Sequence, residues 1–309
     1  SLLPKTVAVY HKIGNEIADA LIKKANEGLD VRVIVDGPTN AVERPVLTKM
    51  RKSKVKCINN KGSFAHPITD RGLSAYHRKI YMIDKKTVMT GGINIGDEYL
   101  TKNQWHDLMV EVKGPVMSDA LNDFYQHWNY SAGEPPEKLE KAPPPSAFKL
   151  SENDGDPLPF DKVDSGKARL ITTDPVQGKK NIKIWMLEAI KNAKDRIYIQ
   201  DPYFNDPEII AALKEAVNRK VKVEVIFPQA NDMPIMKHLD DVVLDELYAE
   251  GADTYLYNTN GREGFNHLKA TIIDDMACLG SSNKDVRAMN TNQEINYVFD
   301  DKTFTDTVV

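Results

Sequence analysis

The first forty residues alternate between short apolar runs and one amphipathic stretch. Thr6–Tyr10 (TVAVY) reads as a strand. Ile13, Ile17, Ala20, Leu21 and Ala25 then recur at helical spacing, Gly28 stops the helix, and VRVIV at 31–35 follows as a buried strand. Strand, helix and strand in this order make a β-α-β unit, which implies parallel pairing. Residues 38–75 are polar and mixed, and their basic run KSKVK at 52–56 reads as a solvated edge. RKIYMID then predicts a strand, Asp84-Lys85-Lys86 a turn, and TVMT at 87–90 the returning strand. DLMVEV at 107–112 predicts one more, and Met117, Leu121, Phe124 and Trp128 mark an amphipathic helix.

From 131 to 165 the pattern breaks. Pro, Glu, Lys and Ser dominate, so this stretch reads as a linker, partly extended through its prolines. After it the first pattern restarts. A helix is expected at about 180–194, RIYIQ at 196–200 as a strand, a helix opened by Asp206-Pro207-Glu208, and VKVEVIF at 221–227 as a strand. The second half thus echoes the first, which predicts an α/β fold of two similar lobes, 1–130 and 166–309. Their mixed or parallel sheets, flanked by helices, would be related by a pseudo-twofold axis.

The 309 residues suit one large domain or two of ordinary size, and 41% hydrophobic with 28% charged is ordinary for a globular chain. Cys57 and Cys278, one per half, read as small buried hydrophobes and not as a disulfide or a metal site. A net charge of −4 disfavours a general nucleic-acid binder. No apolar run approaches the ~18–20 residues that span a bilayer. The chain opens Ser-Leu-Leu, so an anchor upstream of residue 1 is an expectation.

The chemistry lies in a polar pattern written twice. YHRKIYMIDKKTVMTGGIN carries His77, Lys79, Asp84 and Asn94; NHLKATIIDDMACLGSSN carries His267, Lys269, Asp274 and Asn283. On a strand, residues i and i+2 share a face, so each His and its Lys point one way and Arg78 or Leu268 the other. Facing lobes would collect two imidazoles, two ammonium groups and two Asn amides, which suits a phosphate. Asn94, Asn283, Lys79 and Lys269 would bind it. One imidazole can attack phosphorus while the other protonates the leaving oxygen. No metal is needed, because the lysines supply the charge, and no cofactor is expected. Asp107 and Glu294, each heading an apolar strand, would orient the histidines, with Asp107 serving His77 and Glu294 serving His267. Asp84 and Asp274, at strand ends, complete the pattern; they read as structural, holding a turn or bonding the lysine. The other five histidines have no repeat partner, and His66, in the loop before the first motif, is the one exception to weigh.

These residues resemble the phospholipase D superfamily, whose H-x-K-x4-D…G-S-x-N signature occurs twice per active site. The second copy has Gly280, Ser281 and Asn283 in place; the first reads GGIN, with Gly92 where the signature has Ser. Within the superfamily HRK…GGIN-IGDEYL, WHD, IQDPYF and GFNHLK are most similar to bacterial-type cardiolipin synthases. The resemblance implies a covalent phosphohistidine and transfer without metal, with His77 the nucleophile and His267 the acid. It implies phosphatidylglycerol-like phospholipid substrates met peripherally at a membrane surface or from the cytoplasm. Met233, Pro234, Ile235 and Met236 are then candidates to touch acyl chains, or else the start of a packed helix. A nuclease of the same superfamily is the alternative.

Overall fold

The computed structural model describes residues 11–36, 44–61, 74–100, 104–147, 167–258 and 265–308. The expected strand at Thr6–Tyr10 and the loop with His66 lie outside them. Helix α1 (His11–Asn26) ends before Gly28, whose φ of 99° is a left-handed backbone that suits glycine. Strand β1 (Arg32–Val35), helix α2 (Arg44–Arg51) and strand β2 (Lys56–Asn59) follow, and β1 and β2 pair in parallel. The first motif opens an antiparallel trio: β3 (Ile80–Ile83), β4 (Thr87–Gly91) and, after the one-turn helix α3 (Asp97–Leu100), β5 (Met109–Lys113). Helix α4 (Met117–Ala132) closes this half on a left-handed Gly133.

The region predicted as a linker is docked over its first part. Ser118 Oγ donates to the Pro143 carbonyl, and Asn129 exchanges hydrogen bonds with the backbone of Glu140. The second half carries a strand not anticipated from its polar sequence, β6 (Ala168–Asp174), and the short β7 (Lys179–Lys180). The expected elements follow: α5 (Asn181–Asn192), β8 (Arg196–Gln200), α6 (Pro207–Asn218) and β9 (Lys222–Pro228); α7 (Pro234–Glu250) then begins at the Met233–Met236 stretch, and β10 (Asp253–Tyr257) is a further strand that the pattern did not predict. Asp206 caps α6 by accepting from the amides of Glu208 and Ile209. The second motif precedes β11 (Ala270–Ile273), which is followed by β12 (Met276–Gly280), the short helix α8 (Val286–Asn290), β13 (Glu294–Asp300) and α9 (Lys302–Val308). One eight-stranded sheet, β10-β9-β8-β11-β12-β13-β6-β7, carries them, parallel across β8–β10 and antiparallel elsewhere.

β11, β12 and β13 repeat β3, β4 and β5 in order and sense. The two trios share one apolar layer, in which Val88, Val110, Val112 and Met117 pack with Ala270, Leu279, Tyr297 and Phe299. Burying the Val, Leu, Met and Phe side chains of this layer contributes about 1.5–3 kcal/mol apiece. Among the described residues no helix is long and apolar enough to cross a membrane.

Candidate active site

His77, Lys79, His267 and Lys269 lie just before β3 and β11, not within them. Their backbones pair across the repeats. The His77 amide donates to Gln293 O and the Gln293 amide to Ala75 O; the His267 amide donates to His106 O and the His106 amide to Phe265 O. Each motif is thereby laid beside the segment that leads into the other repeat's third strand.

This crossing corrects the expected orienters. His77 Nδ1 lies 2.8 and 3.0 Å from the carboxylate oxygens of Glu294, and His267 Nδ1 lies 2.7 Å from Asp107 Oδ2. The two acids are those named from the sequence, but each serves the histidine of the other repeat. The reason is the register: β13 begins beside His77 and the approach to β5 runs beside His267.

The half-sites are similar without being equal. Glu294 is buried and also accepts from Ser281 Oγ at 2.5 Å and Asn292 Nδ2 at 3.3 Å. Burial works against its charge, but His77, Lys79 and Ser281 prevail and hold it below the usual carboxylate range. At the position of Ser281 the first copy has Gly92. The homology is exact in the backbone, since the Ser281 amide donates to Ile295 O and the Gly92 amide to Leu108 O. A Cβ on Gly92 would lie 2.2 and 2.5 Å from the Asp107 oxygens, so the space of a side chain is filled by the acid. Asp107 has the Leu108 amide at 2.8 Å in place of a hydroxyl, and burial pushes it up to about 6.

His77 is 28% exposed by side chain and His267 6%. Burial lowers both imidazoles, His267 well below its usual value, where the charges of Lys269, Lys79 and His77 add to the effect. The crossed bonds of His77 with Glu294 and of His267 with Asp107 bring both motifs to one centre, which is why each feels the other's charges. Lys79 and Lys269 are buried, and burial lowers them to about 7 and about 8. Lys269 Nζ sits 2.9 and 3.2 Å from the ring nitrogens of His267, and Lys79 Nζ donates to the His77 carbonyl at 2.9 Å. Asn94 Nδ2 donates to Tyr99 OH at 2.7 Å; Asn283 is buried, and its Oδ1 has no hydrogen-bond partner among the described residues.

Asp84 and Asp274 stay out of this centre. Both adopt a left-handed backbone, φ 53° and 52°, at the far ends of their strands. Asp274 accepts from the amides of Lys194, Asp195 and Arg196 at 3.1, 2.9 and 3.1 Å. At about 3.3 Å per residue it stands about 16 Å along the strand from Lys269, so of the two structural readings only turn-holding survives for it.

An aromatic wall around His267 was missed from the sequence. Ring centroids of Tyr99, Trp105, Phe265 and Tyr203 lie 5.4, 5.6, 5.8 and 6.2 Å from the imidazole. Trp105 and Phe265 stand two residues before Asp107 and His267, a same-face spacing that was open to reading. Tyr203 OH reaches Asp232 Oδ1, and beyond it Met233 and Ile235 are 49% and 61% exposed at the start of α7.

A family model described as "Cardiolipin synthase, PLD-like domain" matches residues 5–128 and again 186–309. A cardiolipin synthase of Clostridium perfringens (strain 13 / Type A) is 30% identical over 291 residues, covering 92% of this chain and 58% of its own. One from Alkalihalophilus pseudofirmus is 32% identical over 298 residues, covering 93% and 55%. The chain thus spans a little over half the length of the curated relatives it matches. Among solved structures, phosphatidylserine synthase of Haemophilus influenzae Rd KW20 is similar with a TM-score of 0.59 at 12% identity, over 94% of this chain and 81% of that one. Polyphosphate kinase of Porphyromonas gingivalis gives 0.57 at 13%, over 94% and 39%. These two likenesses speak to fold alone.

Proposed function

This chain belongs to the phospholipase D-like family of cardiolipin synthase type, and from that premise we propose that it is a phosphatidyltransferase acting on phosphatidylglycerol-like lipids. The observation that carries the reading is the interlocked pair of half-sites, His77 with Glu294 and His267 with Asp107, around two buried lysines. His77 is the nucleophile. It is the more open imidazole, and Glu294 holds its Nδ1, which leaves Nε2 for the substrate. The phosphate settles against Lys79, Lys269, Asn94 and Asn283. Its negative charge offsets the lysines that depress His267, and that imidazole takes up a proton.

Nε2 of His77 then attacks phosphorus, and the bond from phosphorus to the glycerol oxygen breaks. The oxygen takes the proton of His267 and leaves as an alcohol, and the phosphatidyl group remains on His77. A hydroxyl of a second phosphatidylglycerol gives its proton to His267 and attacks phosphorus, which breaks the N–P bond and yields cardiolipin. Water in the same place would give phosphatidic acid. Low water access is favoured by the aromatic wall at His267. The chain works at a membrane surface, where its substrates are.

Incubation with phosphatidylglycerol vesicles, followed by lipid analysis, tests this. Cardiolipin and free glycerol are expected. Cleavage of single-stranded DNA with no lipid product would instead assign the site to a nuclease, a reading that the net charge of −4 does not favour.

A further inference from the structure

Arg78 lies between His77 and Lys79 and points away from the site. Its side chain is fully buried and sits among groups from two distant elements. Nη1 donates to Asp123 Oδ2 and lies against His127 Nε2, both on α4. Nη2 lies 3.4 Å from the Thr173 carbonyl and 3.4 Å from Asp174 Oδ2, at the end of β6. His127 Nε2 is 3.2 Å from Asp174, and the Tyr76 ring packs edge-on to His127 with centroids 5.3 Å apart. In the second repeat the same position is Leu268, packed in the shared apolar layer.

A buried cation with two acids is poor evidence of stability, because desolvation offsets most of the attraction. Its location has a more specific consequence. Thr173, whose carbonyl faces Arg78, is the register partner of Glu294 in the β13–β6 ladder. Arg78 therefore grips the strand next to the one that carries Glu294, while the adjacent residue His77 meets the Glu294 carboxylate. The guanidinium fork ties the first motif to the second repeat one residue from the His77–Glu294 hydrogen bond. The other half-site has Lys269 against His267 and has an apolar residue in the corresponding place.

We propose that Arg78, with Asp123, His127 and Asp174, is a positioning device that holds His77 in register with Glu294 across the two repeats. It rests on the phosphatidyl-transfer reading for its catalytic consequence, but not for its structural one. Arg78→Lys keeps the charge and loses the planar fork. A misplacement of about 1 Å near a reacting atom costs about 100-fold. In R78K, kcat on phosphatidylglycerol vesicles is expected to fall roughly 10- to 100-fold with KM nearly unchanged. In histidine-labelled protein, the proton between His77 Nδ1 and Glu294 is expected to shift or broaden in R78K, while that between His267 and Asp107 stays in place. Should R78K not fold, D123N is read in the same way. A folded variant with wild-type kcat, or with the His77 resonance unmoved, overturns the proposal. If wild type turns over no lipid, the transfer reading fails while the resonance still decides the role of Arg78.

Discussion

Gly92 offers a demanding perturbation, because Gly92→Ser completes the family signature and is nevertheless expected to damage the enzyme. The new Cβ would stand 2.2 Å from Asp107 Oδ1 and 2.5 Å from Oδ2. An ordinary contact needs about 3.3 Å, so the carboxylate must retreat by about 1 Å. Its bond to His267 Nδ1, now 2.7 Å, would then pass beyond 3.5 Å unless the ring followed. A charge-assisted hydrogen bond of this kind contributes about 1.5–3 kcal/mol, and the misplacement alone costs about 100-fold in rate. The other half-site shows the remedy: Ser281 there coexists with the longer Glu294 and donates to it. G92S and D107E are each expected to lower kcat/KM on phosphatidylglycerol vesicles by about 100-fold, and G92S/D107E to recover at least about tenfold over either, a departure from additivity of about 1,000-fold, or a coupling of about 4 kcal/mol. Steady-state kinetics on the four proteins, with thermal melts to confirm folding, measure it. Purely additive losses, or an unimpaired G92S, would refute the idea that Gly92 and Asp107 are a matched pair.

Asp274→Ala removes the acceptor of three backbone amides at a turn remote from the histidines. About 1–3 kcal/mol and a melting point lower by several degrees are expected, with kcat in the folded protein unchanged, by calorimetry and kinetics. Burial lowers Lys79 to about 7 and Lys269 to about 8, so their charge is lost on the alkaline side of neutrality and not near 10. A depressed lysine is cationic only below its lowered value. kcat/KM, which reports the free enzyme, should therefore decline as pH rises through about 7–8. A profile flat to pH 10 contradicts those lysines as the phosphate's partners.

Much of this architecture was legible because it is periodic. The helical spacing of Ile13 to Ala25 and of Ile209 to Val217, and the repetition of H-x-K with a following Asn, are local signals. Asp107 and Glu294 could be named because an acid at the head of a buried strand needs a partner. Which partner was not legible. Offsets within each repeat favoured His77 with Asp107, whereas the bridges Tyr76–Gln293 and His106–Asn266 exchange the segments between repeats. Those contacts join residues far apart in the chain, and spacing carries no information on them. β6 was missed because ARLITTD follows a polar stretch and has no counterpart in the first half of the pattern. The collision at Gly92 explains a departure from the signature that the sequence showed only as a substitution.

The central claim is that the two repeats build one site. Phosphatidyl transfer by wild type, H77A, H267A and an equimolar mixture of the two variants measures this on phosphatidylglycerol vesicles. With one shared site, each single variant should lose at least about 1,000-fold, and the mixture should recover nothing. Two independent sites would leave each variant about half active, and that result would contradict the account.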